Sequence, residues 1–206
     1  MSDAARRQYD RAAATYDRRW AGYVRQTVDL LAAHARIAPG ERVLDVGCGT
    51  GTFVRRLVDA NPAQAVVGVD LSAGMLGVAR RTAGTAPNVR FVEASAEALP
   101  LPDGAFDVAV SASALHYADR PDVALAEMAR VLRPGGRAVV LDWDRSRWPM
   151  PLLDAALRVV DPAHTRTFSA REIDALVAAA GFEARPAERI RRGVWGFAVA
   201  VAYTHR

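Results

Sequence analysis

The segment Val43-Leu44-Asp45-Val46-Gly47-Cys48-Gly49-Thr50-Gly51 runs an apolar stretch into a glycine-rich turn, with one acid just ahead of the first glycine. Glycines at such a turn let the backbone bend tightly and approach a ligand with no side chain between. A dinucleotide fingerprint has the spacing G-x-G-x-x-G and a pyrophosphate at the helix start. Here the glycines alternate, Thr52 stands at the third fingerprint position, and Asp45 sits two residues before Gly47. A carboxylate there repels pyrophosphate and attracts a cation, so a ligand bearing an ammonium or sulfonium fits better. The second anchor is Val66-Val67-Gly68-Val69-Asp70. An acid that ends the next strand can accept both ribose hydroxyls, or it can help to start the helix at Ser72. Together the two anchors specify a nucleoside site, while a purely structural glycine turn is the plainer reading of the loop alone.

These residues need a parallel sheet whose carboxyl ends share one edge. The chain alternates β-rich runs with helical patterns, which predicts an α/β fold with helices on both faces. Strands are expected at Arg42–Val46, Ala65–Asp70, Val89–Glu93, Phe106–Ser111 and Gly136–Trp143. Helices are expected near Thr52–Ala60, Ala73–Thr82 and Pro121–Leu132, the last cut off by Arg133-Pro134-Gly135-Gly136. Two helical stretches precede the first strand, and Val24, Val28, Leu31 and Ala35 form an apolar stripe there. An irregular piece, Asp144 to Phe168, holds a short helix around Leu152–Val160. Ser169 and Glu172 then form a capping box for a helix ending at Gly181. Glu183–Ile190 and Val194–Tyr203 are strand-like, and their short connection makes them antiparallel.

A chain of 206 residues with 51% apolar composition suits a single domain. One cysteine excludes a disulfide framework and a multi-cysteine metal site, and four scattered histidines add no metal constellation. Met1 to Asp10 carries no apolar signal core, and no apolar run is long enough to cross a bilayer, so a cytoplasmic setting is expected. All 27 basic residues are arginine, yet they are scattered among acids and the net charge is only +4. A nucleic-acid footprint would gather on one element. A nucleic-acid partner is therefore not expected, and the oligomeric state is open.

VLDVGCGTG, VGVDLSAGML, FVEASAEALPLPDGAFDVAV and EMARVLRPGGRAVVLD, in that order from Arg42 to Asp142, resemble the successive motifs of class I S-adenosylmethionine methyltransferases. The likeness is to the branch containing ubiquinone and menaquinone C-methyltransferases. Tyr9-Asp10-Arg11-Ala12 and Thr15-Tyr16-Asp17 are similar to the YDxxAxxYD segment common there. The resemblance implies a Rossmann-like sheet of seven mostly parallel strands, order 3-2-1-4-5-7-6, with strand 7 antiparallel and lid helices at the amino terminus. It divides the single domain 1–206 into lid and substrate helices (1–38), a cofactor core (39–143) and a substrate-side segment with the terminal hairpin (144–206).

The cofactor implied is S-adenosyl-L-methionine. Asp45 would attract its ammonium, and Gly47, Cys48, Gly49 and Gly51 would lie against it. Asp70 would hold the ribose, with Leu71 and Met75 beside the adenine and Ser95 and Ala96 at its edge. Ser111 and Ala112 would underlie the methionine portion, and Tyr16 with Tyr9 would close over the carboxylate end. Relatives often have Gly-Asp-Ala at Ala94-Ser95-Ala96, so the adenine bond is expected to be weaker here unless Glu97 substitutes.

The implied chemistry is methyl transfer to a small acceptor, apolar or aromatic, quinone-like or a secondary metabolite. His116 is the candidate base, its alternative being a pocket wall with Tyr117. Trp20, Trp143, Trp148, Met150 and Phe168 are candidates to line the acceptor pocket or to be ordinary core, and His164 reads as a surface residue. Rival readings are a nicotinamide oxidoreductase, a non-catalytic cofactor-binding protein, and an RNA or DNA methyltransferase. The last is disfavoured because Ser111-Ala112-Ser113-Ala114 stands where an Asn-Pro-Pro-Tyr type tetrapeptide would lie.

Overall fold

The computed structural model describes residues 3–84, 86–160, 164 and 166–205. At the amino terminus come α1 (Asp3–Ala12), a 3-10 turn (Ala13–Thr15), α2 (Tyr16–Arg19) and α3 (Ala21–Ala35). The alternating core follows: β1 (Val43–Val46), α4 (Thr52–Ala60), β2 (Val66–Asp70), α5 (Ala73–Ala83), β3 (Val89–Glu93), β4 (Phe106–Ala112), a 3-10 turn (Leu115–Tyr117), α6 (Pro121–Val131) and β5 (Leu132–Trp143). The chain continues through α7 (Met150–Val160), α8 (Ala170–Ala179), β6 (Glu183–Ala184), β7 (Glu188–Arg192) and β8 (Trp195–Tyr203).

The sheet order is β3-β2-β1-β4-β5-β8-β6, with β7 also on β8. The first five strands pair in parallel, and β8 runs antiparallel to β5. This is the expected Rossmann-like order, with β8 in the place of the seventh strand. The expected sixth strand, Glu183–Ile190, is instead two pieces. Pro186, which has no N–H to give a ladder, lies in the gap between β6 and β7.

A second difference lies at Arg133-Pro134-Gly135-Gly136, read from sequence as a break. β5 already begins at Leu132 and takes up these residues across a register shift against β4. Gly136 is required there, since a Cβ would stand 2.8 Å from the Arg133 carbonyl oxygen.

Alternation along each central strand sorts side chains to two buried faces. Leu44, Val46, Ala109, Ala138 and Val140 pack on one side with Leu125 and Met128 of α6 and Ile173 and Val177 of α8. Val108, Val110, Val139 and Leu141 pack on the other with Leu30, Leu31 and Ala35 of α3. A period of two with both faces apolar is what a parallel sheet covered by helices demands. The capping box at Ser169 is present with both of its hydrogen bonds, and Gly181 takes φ +83 past the end of α8. No helix among the described residues is long and apolar enough to cross a membrane.

Candidate functional site

The sheet changes direction at β1, with β2 and β3 on one side and β4 and β5 on the other. A crevice opens outside the strand ends at such a point. The register puts Val46 beside Val69, and β4 leaves the sheet at Ala112 next to this edge. Gly47 and Cys48 donate their N–H groups to the Val69 carbonyl at 2.7 and 3.0 Å, fixing the loop on β2. The three loop glycines all have positive φ but serve different ends. A Cβ on Gly47 would lie 2.3 Å from the Ala114 side chain, so this glycine lets the segment after β4 close on the loop. A Cβ on Gly49 would meet only open space. Gly51 faces Ala79 and Phe91, which makes it a packing glycine between α4 and its neighbours.

A cavity occupies the crevice. Its lining includes Tyr9, Tyr16, Asp45, Gly47, Cys48, Gly49, Asp70, Leu71, Met75, Ser95, Ala96, Glu97, Ser111 and Ala112, all named from sequence. Gly51 and His116 are not among the lining residues.

Asp45 is 3% exposed and has no cation beside it among the described residues. Burial, reinforced by the charge of Asp70, pushes its carboxyl up to about 7. A buried acid in this state lacks a counter-charge, and a ligand ammonium would supply one. Asp70 is also pushed up by burial, partly offset by the N–H groups of Ser72 and Gly49 that it accepts at 2.9 Å each. It therefore braces the glycine loop and the start of α5 together, the second contact being the helix-start reading made from sequence. Burial also raises the Cys48 thiol, with Asp45 and Asp70 adding to the effect, so the sulfur lines the site as a neutral group.

The amino-terminal tyrosines roof the cavity, and the aspartates that follow them latch the roof down. Asp10 accepts the Ser72 hydroxyl at 2.6 Å and the Gly74 N–H at 2.9 Å. Asp17 accepts the Thr50 hydroxyl at 2.6 Å. Gly74 allows the approach of α1, because a Cβ there would lie 2.9 Å from the Asp10 backbone. Tyr9 stacks edge-on against Tyr117 at 5.3 Å. In the loop after β3, the Ser95 hydroxyl accepts the Glu97 N–H at 3.2 Å, and Glu97 accepts the Asp119 N–H at 2.9 Å.

His116 stands behind the wall. It is 1% exposed, and its Nδ1 lies 2.6 Å from Asp142, which also accepts the His116 backbone N–H. Its ring stacks on Trp143 at 4.7 Å, while its neighbours Leu115 and Tyr117 line the cavity. His164 is a correction: it is 5% exposed, with Nε2 bonded to Asp154 at 2.7 Å. Asp154, pointing inward from α7, supplied no sequence signal for that pairing.

None of the five residues proposed for the acceptor pocket lines the cavity. Trp143, Met150 and Phe168 are buried core, whereas Trp20 and Trp148 are 39% and 67% exposed. The expected substrate-side segment includes Asp161, Pro162, Ala163 and Thr165, which lie outside the described residues. The apolar wall of the cavity comes from α3, one of the amino-terminal helices read as lid and substrate helices, through Tyr23, Val24, Thr27, Val28 and Leu31, with Phe53 of α4. The apolar stripe Val24, Val28, Leu31 was the signal for it; Tyr23 carried none.

Residues 44–140 match a family model described as a methyltransferase domain. The chain is 42% identical over 118 residues to a ubiquinone/menaquinone biosynthesis C-methyltransferase of Ectopseudomonas mendocina, covering 55% of this chain and 46% of that protein. It is 44% identical over 129 residues to a demethylmenaquinone methyltransferase of Thermus thermophilus, covering 62% of this chain and 55% of that one. The chain thus spans about half the length of the curated relatives it matches. A crystal structure from Thermotoga maritima, described as a SAM-dependent methyltransferase and possible histamine N-methyltransferase, aligns with a TM-score of 0.75. It is 25% identical, over 97% of this chain and 99% of that one. Motifs, sheet order and these likenesses agree in making residues 44–140 similar to methyltransferase domains of the S-adenosylmethionine-dependent class.

Proposed function

We propose that this chain is a cytoplasmic enzyme that transfers a methyl group from S-adenosylmethionine to an apolar or aromatic small molecule, quinone-like or a secondary metabolite. The observation that carries this reading is one cavity with two unlike ends. Asp45, the glycine loop and Asp70 form a polar end, and the α3 stripe forms an apolar one. The names of the curated relatives favour a quinone-like acceptor.

When bound, the cofactor supplies a methyl group already activated for transfer. The chain's own work is to bind, orient and exclude water. Asp45 provides the charge for the ammonium, and the uncovered backbone at Gly47 and Gly49 gives a surface without side chains. Asp70 keeps lone pairs for the ribose beyond those it gives to backbone N–H groups. Leu71, Met75, Ser95, Ala96 and Glu97 frame the adenine, and Ser111 and Ala112 floor the methionine portion. Tyr9 and Tyr16, latched through Asp10 and Asp17, shut out water. Residues 1–38 act in this scheme as lid and acceptor wall, 39–143 as cofactor core, and 144–206 as the flank that completes the sheet. His116, outside the lining, positions Asp142 and Trp143 and takes no proton from the acceptor.

The test is calorimetric titration with S-adenosylhomocysteine, followed by transfer of labelled methyl to a panel of reduced naphthoquinones and phenols. Binding in the micromolar range and label in an apolar acceptor are expected. No binding of the cofactor product overturns the reading. Label appearing only in RNA or DNA overturns the acceptor class.

A further inference from the structure

Tyr23 and Ser113 meet in the cavity at the boundary between its polar and apolar ends, and both line it. The Tyr23 Oη lies 2.5 Å from the Ser113 Oγ, and it accepts the Trp143 Nε1–H at 2.7 Å. An indole N–H only donates. The two hydroxyls carry two hydrogens, and one of these lies in the bond between them. Whichever oxygen donates in that bond, the other hydrogen has no acceptor among the described residues. We propose that this pair is the binding point for an oxygen atom of the methyl acceptor, a ring carbonyl or phenolic oxygen, which receives the remaining hydrogen. The inference rests on the methyl-transfer reading, which it deepens.

Three further observations support it. Ser113 has φ +54, a region in which a residue other than glycine is strained, and such strain gathers at functional sites. The strained residue is held in place: its N–H donates to the Leu141 carbonyl at 2.8 Å, and Ala114 beside it packs on Gly47. Among the α3 residues of the apolar wall no other donor competes. Val24, Val28 and Leu31 are apolar, and the Thr27 hydroxyl is spent on the Val24 carbonyl at 2.9 Å within its own helix. Burial, with Tyr16 next, also pushes the Tyr23 phenol well above its ordinary value, so it serves as a neutral donor and not as a base. The chemistry selected is therefore a flat apolar body with an oxygen at one edge. An acceptor without that oxygen leaves a buried hydroxyl unpaired.

A cofactor carboxylate could draw on the same hydrogen, so the experiment separates the two. The full-length protein, saturated with S-adenosylhomocysteine, is titrated with 1-tetralone and with tetralin, which has the same skeleton without oxygen. Wild type is compared with Tyr23→Phe, Ser113→Gly and the double variant; glycine suits φ +54. The affinity ratio of tetralone to tetralin is expected to fall about 3–10-fold from wild type to the double variant. Each single variant keeps one hydroxyl and loses part of that, while affinity for S-adenosylhomocysteine stays within about threefold. A constant ratio, or failure of tetralone to bind the loaded wild type, overturns the proposal. So does a constant ratio with weakened S-adenosylhomocysteine binding, which assigns the pair to the cofactor. If the double variant does not fold, Tyr23→Phe alone, which removes a single oxygen, must lower the ratio by at least about twofold. Failure of wild type to bind S-adenosylhomocysteine is a separate result, and refutes the methyl-transfer reading itself.

Discussion

Replacing Asp45 by asparagine is expected to make the free protein more stable and the cofactor site useless. The carboxyl of Asp45 is pushed up to about 7 by burial and by Asp70. Between the ordinary carboxylate range and that value, the folded protein retains a proton that the unfolded chain releases. Stability therefore falls as pH rises through this window and stays low above it. A window of about three pH units corresponds to about 4 kcal/mol at full burial. Asparagine does not titrate, but it still buries an amide, so the net gain at pH 8 should be about 2–3 kcal/mol. For a domain of this size that is a rise of about 5–10 °C in Tm, shrinking toward pH 5. S-adenosylhomocysteine at about a hundred times its Kd should stabilise wild type by about 2.7 kcal/mol and leave Asp45→Asn nearly unmoved. In wild type, affinity for it should rise with pH up to about 7 and then level off, because the ammonium needs the ionised acid. Thermal melts at pH 5 and pH 8, with and without ligand, read all of this. A Tm difference independent of pH, or a variant that binds S-adenosylhomocysteine within about threefold of wild type, would refute the reasoning.

Gly47→Ala drives a methyl into Ala114 at positive φ, and should cost about 2–4 kcal/mol in urea unfolding. Gly49→Ala meets open space and should cost about 1–2 kcal/mol, for its φ alone, while weakening S-adenosylhomocysteine binding measured by calorimetry. His116→Ala removes the partner of a fully buried Asp142 and should cost about 3–5 kcal/mol in the same unfolding assay. The folded variant should keep the shape of its pH–turnover profile, and a lost acidic limb, where protonation switches a base off, would return His116 to the role of base. Ser95→Asp should tighten S-adenosylhomocysteine about 3–10-fold, because a charged acceptor makes the stronger hydrogen bond. Unchanged affinity by calorimetry removes Ser95 from the adenine edge.

Much of the fold was legible because its signals are local. Strand alternation, the Ser169 capping box and the glycine loop each act over a few residues, and they set β1 to β5, α4 to α6 and α8 within a residue or two at most boundaries. The exception at β5 came from Arg133–Gly136, where pairing with β4 overrode turn chemistry. Many of the cavity-lining residues were also visible, since Asp45, Gly47, Asp70 and Ser95 all lie at strand ends or just past them. Only the tertiary structure decided the remainder, where the partner is remote in sequence. It turned Gly51 toward Ala79, placed His116 behind the wall on Asp142, and buried His164 on Asp154. It also brought Tyr23 of α3 onto Ser113 and Trp143, which no spacing or periodicity could announce. A period says which face of a helix is buried, but not which buried surface will meet it.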